Sequence, residues 1–482
     1  MAKPYMKREE IVSLDKASLV NLILEFQEIL LEQSREIQSL RDQISKNSGN
    51  SGKPPSSDGL KKPRTRSLRE KGKRLSGGQK GHQGHTLKMV AVPDHVELHE
   101  VSTCPYCATN LRDVVNERYE KRQVFDIPPL RMEVREHQAE IKHCPKCHRQ
   151  IKGIFPKGVE KSVQYGSSIK SQAVYLNNYQ LLPVARIVEL FGDFYGHSPS
   201  EAFIFSANAS VEKAIRPSLD AIKTRLIEEK LVQFDESGLR VEGKLNWLHS
   251  AGTQHLTYYN VQPRRGKEGM LNMGILPEFR GISVHDHWKP YFTFENCQHA
   301  LCNAHHLREL RFIHEQYKQD WAQDMAKLLV KIKKRTEDTE LGELSEKEQS
   351  QFEKEYDRLV EQGLEMNPPP SISLPKKRGR RKQSPPKNLL DRLKKFKKQT
   401  LAFMVDLRIP FDNNLAERDV RMIKVKQKIS GSFRTRQGAD TFCAIRSYIS
   451  TVRKNNLNVI ASIQQALLGK PFCLTSRPGT PE

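Results

Sequence analysis

What this 482-residue chain lacks narrows its possibilities first. No apolar run reaches the roughly 18 residues that a membrane-crossing helix needs, and no secretory leader opens the sequence, so a cytoplasmic protein without a membrane partner is expected. Cysteine is scarce, at 8 residues, and a reducing compartment leaves little scope for a disulfide framework. Acidic residues are outnumbered, 57 Asp and Glu against 80 Lys and Arg, for a formal net charge of +23. That imbalance points to a polyanion, DNA or RNA, as partner. Large apolar side chains are almost missing from Lys46 to Lys88, where twelve Lys and Arg residues meet only Asp58 and Glu70. Residues 47–90 therefore read as a flexible phosphate-binding arm, with Lys61, Lys62, Arg64 and Arg66 among its contacts, or more plainly as a solvated linker.

What is present begins with three separated acids. Asp235 closes an apolar run in LVQFDESGLRV, Asp286 closes another in GISVHDHWKPYF, and Glu417 opens a helix in DNNLAERDVRMIK. Each taken alone reads as a turn or capping residue. Brought to one point, the three would supply the hard oxygen ligands that Mg²⁺ prefers, and a pair of such ions suits phosphodiester chemistry. Neighbouring acids compete for the role. Strand alternation sends Asp235 and Glu236 to opposite faces. Glu417 and Asp419 point in different directions on a helix, whereas Glu417 is in phase with Arg421 and Lys424.

Four cysteines form two knuckles, Cys104-Pro-Tyr-Cys107 and Cys144-Pro-Lys-Cys147. Thiolates at this spacing close a tetrahedral Zn²⁺ site, and four of them leave no open position for substrate, so a structural zinc ribbon is expected within 91–160. Cys297, Cys302, Cys443 and Cys473 are scattered. Cys302 with His305 and His306 has zinc-like spacing but reads better as a core cysteine beside a helix.

The remaining organisation follows from periodicity. Ile23, Leu30, Ile37 and Ile44 recur every seven residues, with Leu19, Phe26 and Leu40 interleaved and Gln33 interrupting, which predicts a coiled-coil helix over 9–46, or a single amphipathic helix packed on its own protein. Residues 161–230 read as helices, including a segment fit for a helix-turn-helix or for a plain helical core. From Leu231 three strands, a helix and a fourth strand predict a mixed α/β sheet, with Asp235 on the first strand and Asp286 ending the fourth. A helical insertion, 307–398, carries the Pro-rich basic run MNPPPSISLPKKRGRRKQSPPKNLL, whose Arg378, Arg380 and Arg381 suit a narrow minor groove or a solvated loop. The α/β core, 231–306, resumes over 399–455, and 456–482 reads as a tail.

Together these motifs resemble the DDE transposases of the insertion sequence 66 family, the TnpC type. The likeness rests on the SKNSGNSGKPPSSDG and GGQKGHQGHTL arm, the paired CPxC knuckles and DESGLRV before a Trp-bearing strand. It continues through Asp286 before WKPY, CNAHHLREL, the KKRGRRKQSPPKNLL insertion and the closing DNNLAER. The resemblance implies an RNase H-like α/β catalytic core inside a multidomain α+β chain, with Asp235, Asp286 and Glu417 as catalytic triad and ligands of two Mg²⁺ or Mn²⁺ ions. It also implies Arg421 and Lys424 against the DNA end, double-stranded element ends and target DNA as substrates, a homodimer or larger assembly on DNA, companion transposition proteins, and a bacterial cytoplasmic, nucleoid-associated setting. A zinc-containing DNA-binding protein descended from such an enzyme, without catalysis, is the alternative, and a nuclease that never rejoins ends is a third.

Overall fold

The structure, a computed structural model, describes residues 11–51, 87–339, 344–369 and 383–473. Lys61, Lys62, Arg64 and Arg66 of the arm and Arg378, Arg380 and Arg381 of the basic run lie outside the described residues. The chain divides into two units: Arg66–Phe155 with Leu190–Ser198, and the remainder.

The smaller unit is built on the two Cys-Pro-x-Cys turns. In the first, Ala108 donates its N–H to Cys104 O at 3.0 Å and Cys104 N–H bonds Thr109 O at 2.9 Å; in the second, His148 and Arg149 repeat the pattern on Cys144. Ala108 and His148 both take left-handed backbone, φ 59° and 55°, which the tight return demands despite its cost to residues with a Cβ. Strands β1 (Ile141–His143) and β2 (Gln150–Lys152) pair antiparallel around the second turn.

The larger unit opens with α1 (Lys16–Ser45), capped by Asp15, whose carboxylate accepts the Ser18 N–H at 2.8 Å. Its seam residues Ile23, Phe26, Leu30, Ile37 and Leu40 are each more than half exposed. Its last turn is anchored: Asp42 accepts a hydrogen bond from the Tyr317 hydroxyl at 2.5 Å, and Lys46 lies over the Phe312 ring. Next come α2 (Ser167–Val174), a π turn (Tyr175–Tyr179), α3 (Val184–Tyr195), α4 (Glu201–Ala214) and α5 (Arg216–Glu228). Helix α4 buries Phe203, Ile204, Ala207 and Val211 and exposes Phe205, Ser206 and Ala209, with an exposed Lys213 in its last turn. Its buried Asn208 bonds Asn177 and Asn178.

The α/β sheet follows: β3 (Leu231–Val241), β4 (Lys244–Gly252), β5 (Thr257–Gln262), α6 (Lys267–Met273), β6 (Ile282–His285) and β7 (Gln298–Leu301). The strand order is β5-β4-β3-β6-β7; β3, β4 and β5 form an antiparallel meander, while β6 and β7 run parallel to β3. Four residues of β7 were too few to show a period of their own, and no strand was expected there. The sheet's mixed α/β character matches the expectation.

Helices α7 (Asn303–Tyr317), α8 (Asp320–Glu337), α9 (Glu346–Met366), α10 (Pro385–Lys395), α11 (Lys397–Thr400) and α12 (Ala402–Val405) follow, and all of them but the short α11 share one apolar cluster with Val284 of β6 and Ala300 of β7. The expected boundary at 306/307 falls inside α7, because this helix starts two residues after β7 and runs unbroken. The chain closes with α13 (Asn414–Ser430), α14 (Arg436–Lys454) and α15 (Val459–Leu467). The expected tail over 456–482 is corrected by α15: Asn458 caps it, Val459, Ile463 and Ala466 are buried, and it rests on α2 and α4.

Helix α14 also covers the open edge of β5, which would otherwise offer unpaired backbone groups. Ser447 Oγ accepts the Tyr259 N–H at 2.8 Å, and Thr451 Oγ1 accepts that of Thr257 at 3.1 Å. One helical turn between Ser447 and Thr451 matches a two-residue step along the strand.

Asp419 of α13 is spent on holding these elements together. It forms an ion pair with Lys454 at 2.6 Å and accepts the Thr257 hydroxyl at 3.2 Å, both side chains of the ion pair being mostly buried. Asp419→Ala leaves the Lys454 ammonium buried without its partner, so we expect a loss of about 3 kcal/mol in urea unfolding. Asp412→Ala, which removes an acceptor only from the exposed Asn414 N–H, should cost about 1 kcal/mol.

Candidate active site

Asp235 lies in the middle of β3, on the face that carries Leu239 and Val241 against Val420 and Ile423 of α13. Glu236, one residue on, turns to the opposite face, as alternation requires. Asp286 follows the last residue of β6, and the parallel pairing of β3 with β6 brings the two acids beside each other. Glu417 sits in the first turn of α13, where the helix dipole favours a negative side chain.

The electrostatics show the convergence. Burial pushes the Asp235 carboxyl well above the usual carboxylate range, with Glu236, Asp286 and Glu417 each adding to the shift. Asp286 is fixed on one side by the Trp288 N–H, which donates to Oδ1 at 2.9 Å. Glu417 has Arg308 at 3.7 Å. Lys424, two turns along α13, donates to Gly238 O at 2.5 Å; burial lowers its ammonium pKa and the Asp235 charge works to restore it. Arg421 is exposed on the same helix. The structure thus gathers Asp235, Asp286, Glu417 and Lys424, while Asp419 is directed to Lys454 and β5.

The Asp235 carboxyl is raised by burial and then by its acidic neighbours, and an all-oxygen donor set fits Mg²⁺ or Mn²⁺. Softer donors adjoin it. Among the described residues, Cys302, His305 and Glu417 place ligand atoms within 4.8 Å of one another. Burial pushes the Cys302 thiol up to about 12, and its sulfur accepts the Asn413 N–H at 3.1 Å, as in a neutral core cysteine. His305 keeps Nδ1 buried without a hydrogen-bond partner.

The cysteine knuckles stand as two thiol pairs. Within them the Cys107 thiol is lowered by the Thr109 hydroxyl and backbone N–H, and that of Cys144 by the Cys147 and Lys146 backbone N–H groups. Amide donors aimed at sulfur favour the thiolate that zinc requires, so the residues present fit that ion.

Sequence reasoning passed over a network on the other face of β3. Glu236 accepts the Tyr291 hydroxyl at 2.5 Å and two bonds from Arg265, at 3.0 and 2.8 Å. Arg265 also lies 3.9 Å from Asp286 Oδ2. Its guanidinium rests against Trp288 and Trp247, 3.9 and 5.0 Å from the ring centroids. Tyr291 stacks on His285, 4.2 Å between ring centres. The partners come from several separate segments, Trp288 and Tyr291 sharing one of them, so no periodicity announced the group; the three tryptophans in the whole chain were the one compositional hint.

Comparison with known proteins gives the family. Residues 162–441, more than half the chain, match the family described as Transposase IS66 family, and residues 102–148 match the zinc-finger binding domain of transposase IS66. The chain belongs to the IS66 family of transposases, as the motif resemblance implied. Residues 7–88 match a family of unknown function, DUF6444. No curated protein matches the chain. Among solved structures, a Drosophila P element transposase strand transfer complex aligns over 63% of this chain and 95% of that one, at 10% identity and a TM-score of 0.32, a likeness too slight to carry a conclusion.

His249 of β4 lies under this network, its Nε2 3.4 Å from Arg264 O. Burial pushes its imidazole down to about 4, with Arg265 adding to the shift. Because the folded value lies below the unfolded one near 6.5, stability is full above that pH and falls as the unfolded chain takes up the proton. Between pH 6.5 and 4 the loss should reach about 3 kcal/mol, and His249→Gln should flatten that part of a urea-midpoint profile.

Proposed function

We propose that Asp235, Asp286 and Glu417 are the catalytic acids of an RNase H-like DNA transposase that cuts the ends of its insertion sequence and joins them to target DNA. The observation that carries this reading is the raised Asp235 carboxyl, crowded by acids from β6 and α13. The sheet order supports it too, with the first acid on the central strand β3 and the second beside it after parallel β6.

Two Mg²⁺ or Mn²⁺ ions, when bound, would activate the attacking oxygen and stabilise the leaving one. Asp235, Asp286 and Glu417 would hold them, and Trp288 orients the Asp286 carboxylate. In the first step a water oxygen bonds to phosphorus at the element end, the phosphorus–3′-oxygen bond breaks, and the 3′ oxygen leaves as a hydroxyl. In the second, that hydroxyl attacks a target phosphorus and displaces the target's own 3′ oxygen, leaving the phosphodiester count unchanged. Exposed Arg421 and partly buried Lys424 hold the DNA strand along α13 by their charge.

Cys104, Cys107, Cys144 and Cys147 hold a structural Zn²⁺ in this reading, supported by the zinc-finger match and the thiolate-favouring turns. The bare apolar seam of α1 supports pairing with a second copy of the chain on double-stranded DNA. Companion transposition proteins complete the reaction.

Nicking and strand transfer on labelled element-end DNA, with companion proteins and Mn²⁺, should fall at least about a hundredfold in Asp235→Asn, Asp286→Asn and Glu417→Gln. DNA binding should persist; a variant that nicks at the wild-type rate removes its residue from the site. Metal analysis should find about one zinc per chain, lost in Cys104→Ser and in Cys144→Ser alike. Zinc unchanged in both variants would place the ion elsewhere.

A further inference from the structure

The turn after β5 places two arginines side by side, and they are used differently. Arg264 pairs with Glu268 at 3.0 Å on the surface. Arg265 turns toward the carboxylates, and its side chain remains about one third exposed, at 34%. One edge of its guanidinium, Nε and one Nη, is fixed on Glu236 Oε1. The other oxygen of Glu236 is held by Tyr291. The indoles of Trp247 and Trp288 lie against the guanidinium. Among the described contacts nothing bonds its second Nη. Since a guanidinium carries five N–H donors in a rigid fork, this one is oriented on one edge and open on the other.

The Nη held by Glu236 also lies 3.9 Å from Asp286 Oδ2, so the guanidinium stands at the rim of four crowded acids: Asp235, Glu236, Asp286 and Glu417. Such a concentration of negative charge repels a DNA backbone, and a fixed fork at the rim offsets the repulsion while matching phosphate oxygens two at a time. An arginine serving only as counter-charge to Glu236 would need neither the two indoles nor an exposed edge.

We propose that Arg265 is a phosphate-binding residue of the active site, its open edge gripping a backbone phosphate next to the one being cut. The inference rests on the transposase reading above, since it takes the bound polyanion to be the element end. Glu236, Tyr291 and the two tryptophans are its positioning residues. The fork is set before DNA arrives, so little side-chain entropy is lost on binding.

The test is binding of full-length protein, with its companion proteins, to element-end duplexes in Ca²⁺, where turnover is not needed. Neutral methylphosphonates are placed singly at each phosphate around the cleavage point. In the wild type one substitution should weaken binding about tenfold; Arg265→Gln should bind unmodified DNA about tenfold more weakly and be indifferent to that same substitution. Arg265→Lys, which keeps the charge but not the fork, should recover only part of the loss. Its salt dependence should stay close to that of the wild type, while that of Arg265→Gln drops by about one counterion. If Arg265→Gln retains the full methylphosphonate pattern and instead needs more Mn²⁺ for nicking, Arg265 only holds Asp286 and the proposal fails. Should Arg265→Gln not fold, a wild-type pattern in Arg265→Lys at every phosphate overturns it equally. Asp235→Asn, run in parallel, separates the two ideas: nicking by that variant counts against the catalytic assignment and leaves the Arg265 binding data to be judged alone.

Discussion

The parallel contact between β3 and β6 is the constraint on which the site depends. It sets Asp235 beside Asp286, and α13 laid across the same face adds Glu417. Burial, and then the repulsion of neighbouring acids, raises the Asp235 carboxyl and spends folding free energy. The surroundings bear that cost. The Asp419–Lys454 ion pair ties α13 to α14, α14 closes the edge of β5, and apolar layers cover both faces of the sheet.

The two faces of β3 divide the work by alternation alone. The odd-numbered face carries Asp235 toward α13 and Lys424. The even-numbered face carries Glu236 into a network of Tyr291, Arg265 and two tryptophans, reaching Asp286 from behind. A shift of one residue in the β3 register would exchange Asp235 with Glu236, so the meander with β4 and β5 also safeguards the identity of the acid presented to the site.

The helices between β7 and α13 have a different logic. They add an apolar cluster of their own onto Val284 and Ala300, which lets a long stretch of chain leave the sheet after β7 and return at Asn413. That return is marked by Asn303 N–H bonded to Phe411 O and by Asn413 donating its side-chain amide to Phe234 O, joining the two ends of the excursion to the strand that bears Asp235. Glu417 thus reaches the site although more than a hundred residues separate it from Asp286.

Much was legible in the sequence because it is local. The sites of Asp235 and Asp286 at apolar runs, the helical phase of Glu417 with Lys424, the two Cys-Pro-x-Cys turns and the seven-residue repeat of α1 all follow from periods of two or 3.6 or from fixed turn chemistry. The family itself was readable from the order of those motifs. What only the tertiary structure decided is pairing between distant segments: β7, too short to carry a pattern; α15, whose apolar face needs α2 and α4 to bury it; Asp419 consumed by Lys454; and Arg265 set between two indoles and Glu236. Local sequence fixes which way a side chain points from its own strand or helix, but the neighbour it meets depends on how the whole chain closes, and no period records that.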